Sequence, residues 1–124
     1  MGNLEKIEKY WDTRSEGFSK RVRDELKTDH EKWSEKLDFY LKDIEGKRVL
    51  DIGCGPGFFT IILSEKGYDV TAFDYSPDML KEAEKNVHQA IGRILRGGCK
   101  NKDIFIYTNE DIGKILSTET PNKM

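Results

Sequence analysis

Three features of the sequence predict an α/β fold built on a parallel sheet. Short apolar runs (VLDI, YDVTAFD, DIFIYT) alternate with stretches of helical period. The first of these runs passes straight into a glycine-rich loop, GCGPG, positioned to open a helix. The length of 124 residues suits one domain able to bury a core.

Residues 3–26 read as helical, with Leu4, Ile7 and Trp11 on one stripe and Phe18, Val22 and Leu26 on another, interrupted at Gly17. The stretch TDHE has capping-box form, Thr28 followed three residues later by Glu31. It is expected to open a helix whose apolar face is Trp33, Leu37, Tyr40, Leu41 and Ile44, ending near Gly46. KRVLDI reads as a strand buried on both faces, as strands of parallel sheets are. Pro56 suits the first turn of the next helix, whose stripe is Phe59, Ile62 and Leu63 and which Gly67 ends. After the strand YDVTAFD, Ser76 caps a helix with Pro77 at its first position and Asp78 near its positive end. Its stripe is Leu80, Ala83, Val87, Ile91 and Ile94, and Gly97-Gly98 stop it. DIFIYT is a third strand and NEDIGKIL a last short helix. The expected organisation is an N-terminal helical cap, 1–46, on a core, 47–124.

Composition narrows the function classes. Charged residues make up 35% and the net charge is −2, with both signs mixed along the chain, so no basic field invites nucleic acid. Arg93, Arg96, Lys100 and Lys102 read as ordinary positive charge at a helix C-terminus. No apolar run approaches the ~20 residues of a membrane span, and MGNLEKIEKYW lacks the apolar segment of a signal peptide. Cys54 and Cys99 read as free thiols in a reducing cytoplasm. His30 and His88 have no partners at metal-ligand spacing, and no metal is expected.

The chemistry concentrates at VLDIGCGPG. Gly53, Gly55 and Gly57 let the backbone turn sharply and approach a ligand. Asp74 ends the second strand, 23 residues after Asp51, where a carboxylate can accept both hydroxyls of a ribose. The spacing is G-x-G-x-G, and Phe58 stands where a dinucleotide site wants a small residue. An adenosine-bearing ligand without a pyrophosphate fits that pattern.

On these residues, Val49 to Asn86 closely resembles the S-adenosylmethionine site of class I methyltransferases, particularly the small-molecule type akin to quinone-biosynthesis enzymes. LDIGCGPG matches the family's first motif and VTAFDYSPDML its second, while YWDTRSEGF looks like the N-terminal helix that folds over the cofactor. The resemblance implies a Rossmann-like sheet and S-adenosylmethionine as cofactor. Gly53, Gly55 and Gly57 would line its methionine part, with Cys54 among them in the loop, and Asp51 would hold the loop and the amino group. Asp74 would take the ribose hydroxyls, and Tyr75 and Met79 would flank the adenine. Tyr10, Trp11 and Arg14 are the candidates to approach the carboxylate, although Trp11 and Phe18 read equally as core.

The family's sheet has seven strands in the order 3-2-1-4-5-7-6, whereas this chain has residues for about three. In one alignment DIFIYTNED is the third strand, and Glu110 or Asp111 reaches the adenine amino group. In the other, GRILRGGCKNKDIFIYT stands for the family's later helix end and fifth strand; it lacks that motif's proline, which favours the first. The expected function is methyl transfer to an unidentified small-molecule acceptor, with no catalytic residue named. The alternative is a non-catalytic cofactor-binding module, or a remnant that needs a partner chain. Order 3-2-1 would leave RVLDI at an edge, so a homo-oligomer or partner is expected there, with little methyl transfer by the chain alone.

Overall fold

A computed structural model of the chain describes residues 2–96 and the backbone of 105–107. Five helices, α1 (Asn3–Asp12), α2 (Ser15–Thr28), α3 (His30–Leu41), α4 (Phe58–Glu65) and α5 (Pro77–Arg96), accompany strands β1 (Arg48–Ile52), β2 (Asp69–Phe73) and β3 (Phe105–Tyr107). The sheet is parallel, in the order β1-β2-β3. The third apolar run therefore pairs with β2, as the first alignment requires. NEDIGKIL, Gly97-Gly98, Glu110 and Asp111 lie outside the described residues.

Local chemistry sets the ends of the core helices. Ser76 caps α5 by accepting the Met79 N–H on its hydroxyl at 3.1 Å. Gly67, at φ +92°, closes α4 in a Schellman turn: its own N–H reaches the Ser64 carbonyl and that of Tyr68 reaches Leu63, both at 3.1 Å. Pro56 falls in the turn before α4 rather than inside its first turn, because Gly57 occupies the cap at φ +96°.

The core lies between one face of the sheet and α4 and α5. Ala72 of β2 packs with Cys54, Leu80 and Ala83, and Ile61 of α4 packs with Val87, Ala90 and Ile94 of α5 and with Leu26 of α2. Ala90 and Ile61 take core places that the expected stripes lacked, whereas Ile91 and Phe59 turn outward.

Four expectations are corrected. The N-terminal helical run breaks at Thr13-Arg14, and Gly17 sits inside α2. A glycine costs a helix only ~1 kcal/mol, and Asp12, the last residue of α1, bonds Ser76 and Asp78 at the start of α5. Thr28 opens no helix: its hydroxyl donates to the Asp24 carbonyl at 3.2 Å and keeps it in α2. The α3 stripe is only half-buried, and Tyr40 and Ile44 are exposed beside it. Finally, β1 is covered on one face only. Leu50 and Ile52 are 58% and 70% exposed, because among the described residues the helices cover the opposite face, that of Val49 and Val70.

Candidate functional site

Beyond the carboxyl ends of β1 and β2 opens a cavity of about 700 Å³, within the ~300–1,000 Å³ range of small-molecule sites. This is the end of a parallel sheet where ligands ordinarily sit. The loop between β1 and α4 forms one side of it. Gly53, Gly55 and Gly57 all have positive φ, between 53° and 96°, which a side chain would strain. Gly57 is also where α5 comes close, since a Cβ there would lie 3.5 Å from Ala83.

The loop uses its own N–H groups. Those of Gly53 and Cys54 reach the Phe73 carbonyl at 2.7 and 2.9 Å, and that of Gly57 reaches Cys54 at 3.0 Å. The Gly55 N–H donates to Asp74 Oδ2 at 2.8 Å. A diphosphate cradle needs such donors unspent. Asp74 Oδ1 accepts the Ser76 N–H at 2.9 Å, so each carboxylate oxygen keeps acceptor capacity toward the cavity that Asp74 lines.

Asn86 of α5 holds the loop from behind. Its amide donates to the Pro56 carbonyl at 2.9 Å and to Ser19 of α2 at 3.1 Å, and Arg23 donates to the same Ser19 hydroxyl at 2.8 Å. Asp51 braces α4, accepting the Thr60 hydroxyl at 2.7 Å. Burial raises the Asp51 carboxyl above its ordinary range against the pull of that bond, and Asp74 nearby adds to the rise. Burial likewise pushes the Cys54 thiol far up, with Asp51 and Asp74 adding to it, so it stays protonated and is no nucleophile.

The lining brings together Trp11, Gly53, Cys54, Gly55, Asp74, Tyr75 and Met79 of the expected residues. Tyr10, Arg14, Asp51 and Gly57 stand outside it. Arg14 instead stacks on the Tyr10 ring, 3.5 Å from its centroid, and donates to the Tyr10 carbonyl at 3.0 Å. The rest of the wall lies outside the expected set: the sequence places Trp33 on the apolar face of its helix and gives Glu25 no role, although both line the cavity with Phe58 and Phe59. The spacing of Phe18 and Glu25, seven residues and two turns apart on α2, was the available signal. Also unforeseen is Asp12, at the end of α1, which accepts from the Ser76 hydroxyl and from the Asp78 N–H at 3.2 Å. It adds a negative charge to the N-terminus of α5.

The chain is similar to known proteins over part of its length. The chain is 44% identical over 85 residues to a glycine/sarcosine N-methyltransferase of Parasynechococcus marenigrum, covering 66% of this chain and 26% of that protein. It is 42% identical over 50 residues to a ubiquinone biosynthesis O-methyltransferase of Xylella fastidiosa, covering 39% and 20%. The chain thus spans about a quarter or less of the length of these relatives. The PH0226 protein of Pyrococcus horikoshii, a solved structure, aligns with a TM-score of 0.46 at 24% identity over 70% of this chain and 34% of its own. A family model described as a methyltransferase domain matches residues 25–115, from α2 through β3. By that match the chain belongs to the methyltransferase-domain family.

Proposed function

We propose that the chain binds S-adenosylmethionine and supplies the cofactor side of a methyltransferase acting on a small molecule. The observation that carries this reading is Asp74. Its carboxylate lines the cavity with acceptor capacity to spare for ribose hydroxyls, beside a loop whose N–H groups are already used. Gly53, Cys54 and Gly55 lie against the methionine part in this reading, and Tyr75 and Met79 against the adenine. Gly57 and Asp51 support the loop and α4, and Tyr10, Trp11 and Arg14 belong to the helical cap of residues 1–46, over the core of 47–124. The cofactor supplies an electrophilic methyl group on a sulfonium. The protein's share is orientation, since in-line displacement gains much of its rate from holding nucleophile and methyl in line. Relatives include both N- and O-methyltransferases, so similarity alone does not choose the acceptor. Cys54 as a free, buried thiol fits a cytoplasmic site of action. Among the described residues no helix is long and apolar enough to cross a membrane.

Calorimetry with S-adenosylmethionine, S-adenosylhomocysteine and NAD tests this. The first two are expected to bind, adding about 2.7 kcal/mol of stability at 100 times Kd. NAD binding at equal or better affinity overturns the reading.

A further inference from the structure

The wall of the cavity built by α2, α3 and α4 has a chemistry of its own. α2 contributes Phe18 and Glu25, α3 contributes Trp33, and α4 contributes Phe58 and Phe59. The Trp33 ring meets Phe59 at 5.4 Å and Phe58 at 6.4 Å, both edge-on at 87°, and the two phenylalanines meet at 5.1 Å. Glu25 is half-buried beside them, and among the described residues no ion pair engages its carboxylate. The charged side chains of the lining are Glu25 and Asp74, both acidic; Arg14 and Arg21 border a separate hollow that shares only Phe18.

Aromatic faces attract cations through their quadrupole, and a half-buried carboxylate does so through its charge. An anion here meets the carboxylates of Glu25 and Asp74 in the lining itself and is disfavoured against a cation. Trp33 already displays the preference, carrying the Lys36 ammonium 4.7 Å from its ring from outside the lining.

We infer that this wall is the acceptor subsite and that it selects amines, which rests on the cofactor reading above. The amine binds as its ammonium ion and reacts as the free base after losing a proton to solvent. Its nitrogen lone pair forms the new N–C bond as the S–C bond breaks, and that electron pair stays on sulfur. The positive charge therefore passes from sulfur to nitrogen, where Glu25 and the rings stabilise it. The product ammonium then releases a proton to solvent.

Matched probes of one shape test the inference: phenethylamine, phenylacetate and 2-phenylethanol. Each is titrated against intrinsic tryptophan fluorescence, with the protein free and saturated with S-adenosylhomocysteine. Phenethylamine is expected to bind about tenfold or more tighter than phenylacetate. Glu25→Gln should weaken it roughly five- to thirtyfold and Trp33→Leu roughly three- to tenfold, both leaving S-adenosylhomocysteine affinity within about twofold. Equal binding of the three probes, no binding of any, or a Glu25→Gln that weakens S-adenosylhomocysteine as much as the amine overturns the inference. If S-adenosylhomocysteine fails to bind while the amine preference persists, the cofactor reading falls and the cation selectivity of the wall stands.

Discussion

Asp74 has two tasks that substitution can separate. It anchors the Gly55 and Ser76 N–H groups, and it faces the cavity with lone pairs to spare. Asp74→Ala should lower S-adenosylhomocysteine affinity on the order of tenfold to several hundredfold, as charge-assisted hydrogen bonds are lost. Calorimetry on the folded variant reads this, and unchanged affinity removes Asp74 from the site. Asp51, one residue beyond the lining, is bonded to Thr60 of α4 and desolvated. Burial holds its folded-state carboxyl above the ordinary value of 3.8. A raised carboxyl favours folding below the unfolded value and loses that advantage as pH rises through the folded one. Asp51→Asn, which still offers Thr60 an acceptor, should therefore remove a fall in stability above about pH 4, of up to ~1.4 kcal/mol per pH unit for one proton. Urea unfolding of both proteins across that range gives the difference curve, and a flat difference contradicts the assignment.

Between elements, side-chain hydrogen bonds join α1 to α5. Ser76 caps α5 from its own chain position, while Asp12 arrives from α1 and bonds the same hydroxyl. Ser76→Ala should cost about 1 kcal/mol and Asp12→Ala about 0.3–1 kcal/mol. The double variant should lose less than the sum, because both substitutions remove one shared bond. Strict additivity in urea unfolding would mean that the bond does not hold in solution. A second tie joins three helices farther back. Glu65, at the end of α4, accepts from Arg93 of α5 at 2.7 Å and bonds His30 of α3 at 2.5 Å. His30 thus links elements through its contact with Glu65, a role that its spacing in the sequence could not reveal.

For the whole molecule, the open feature is the sheet. Among the described residues β1 pairs with β2 alone, and its outer face shows Leu50 and Ile52 to solvent. An edge strand with exposed apolar side chains recruits another strand. We expect a sedimentation coefficient that rises with concentration, and Leu50→Lys, placed on the edge but outside the cavity lining, should suppress that rise. A monomer at every concentration, with the wild-type sequence, would show that the edge is covered.

Features under short-range control are legible in the chain. The three strands follow from apolar runs, the glycine loop from its required positive φ, and the end of α4 and the start of α5 from the Gly67 and Ser76-Pro77 signals. Each depends on neighbours a few residues away, so a linear reading contains it. Tertiary structure decided the rest, because the deciding partners are distant in the chain. The break at Thr13-Arg14 serves a contact 64 residues on, from Asp12 to Ser76. Asn86 reaches back 67 residues to Ser19 and 30 to Pro56 to set the loop. The aromatic wall exists only where α2, α3 and α4 converge on one cavity. The same apolar strand, β1, is buried or bare according to which helices reach each face. Its composition suits both outcomes, and packing chose one.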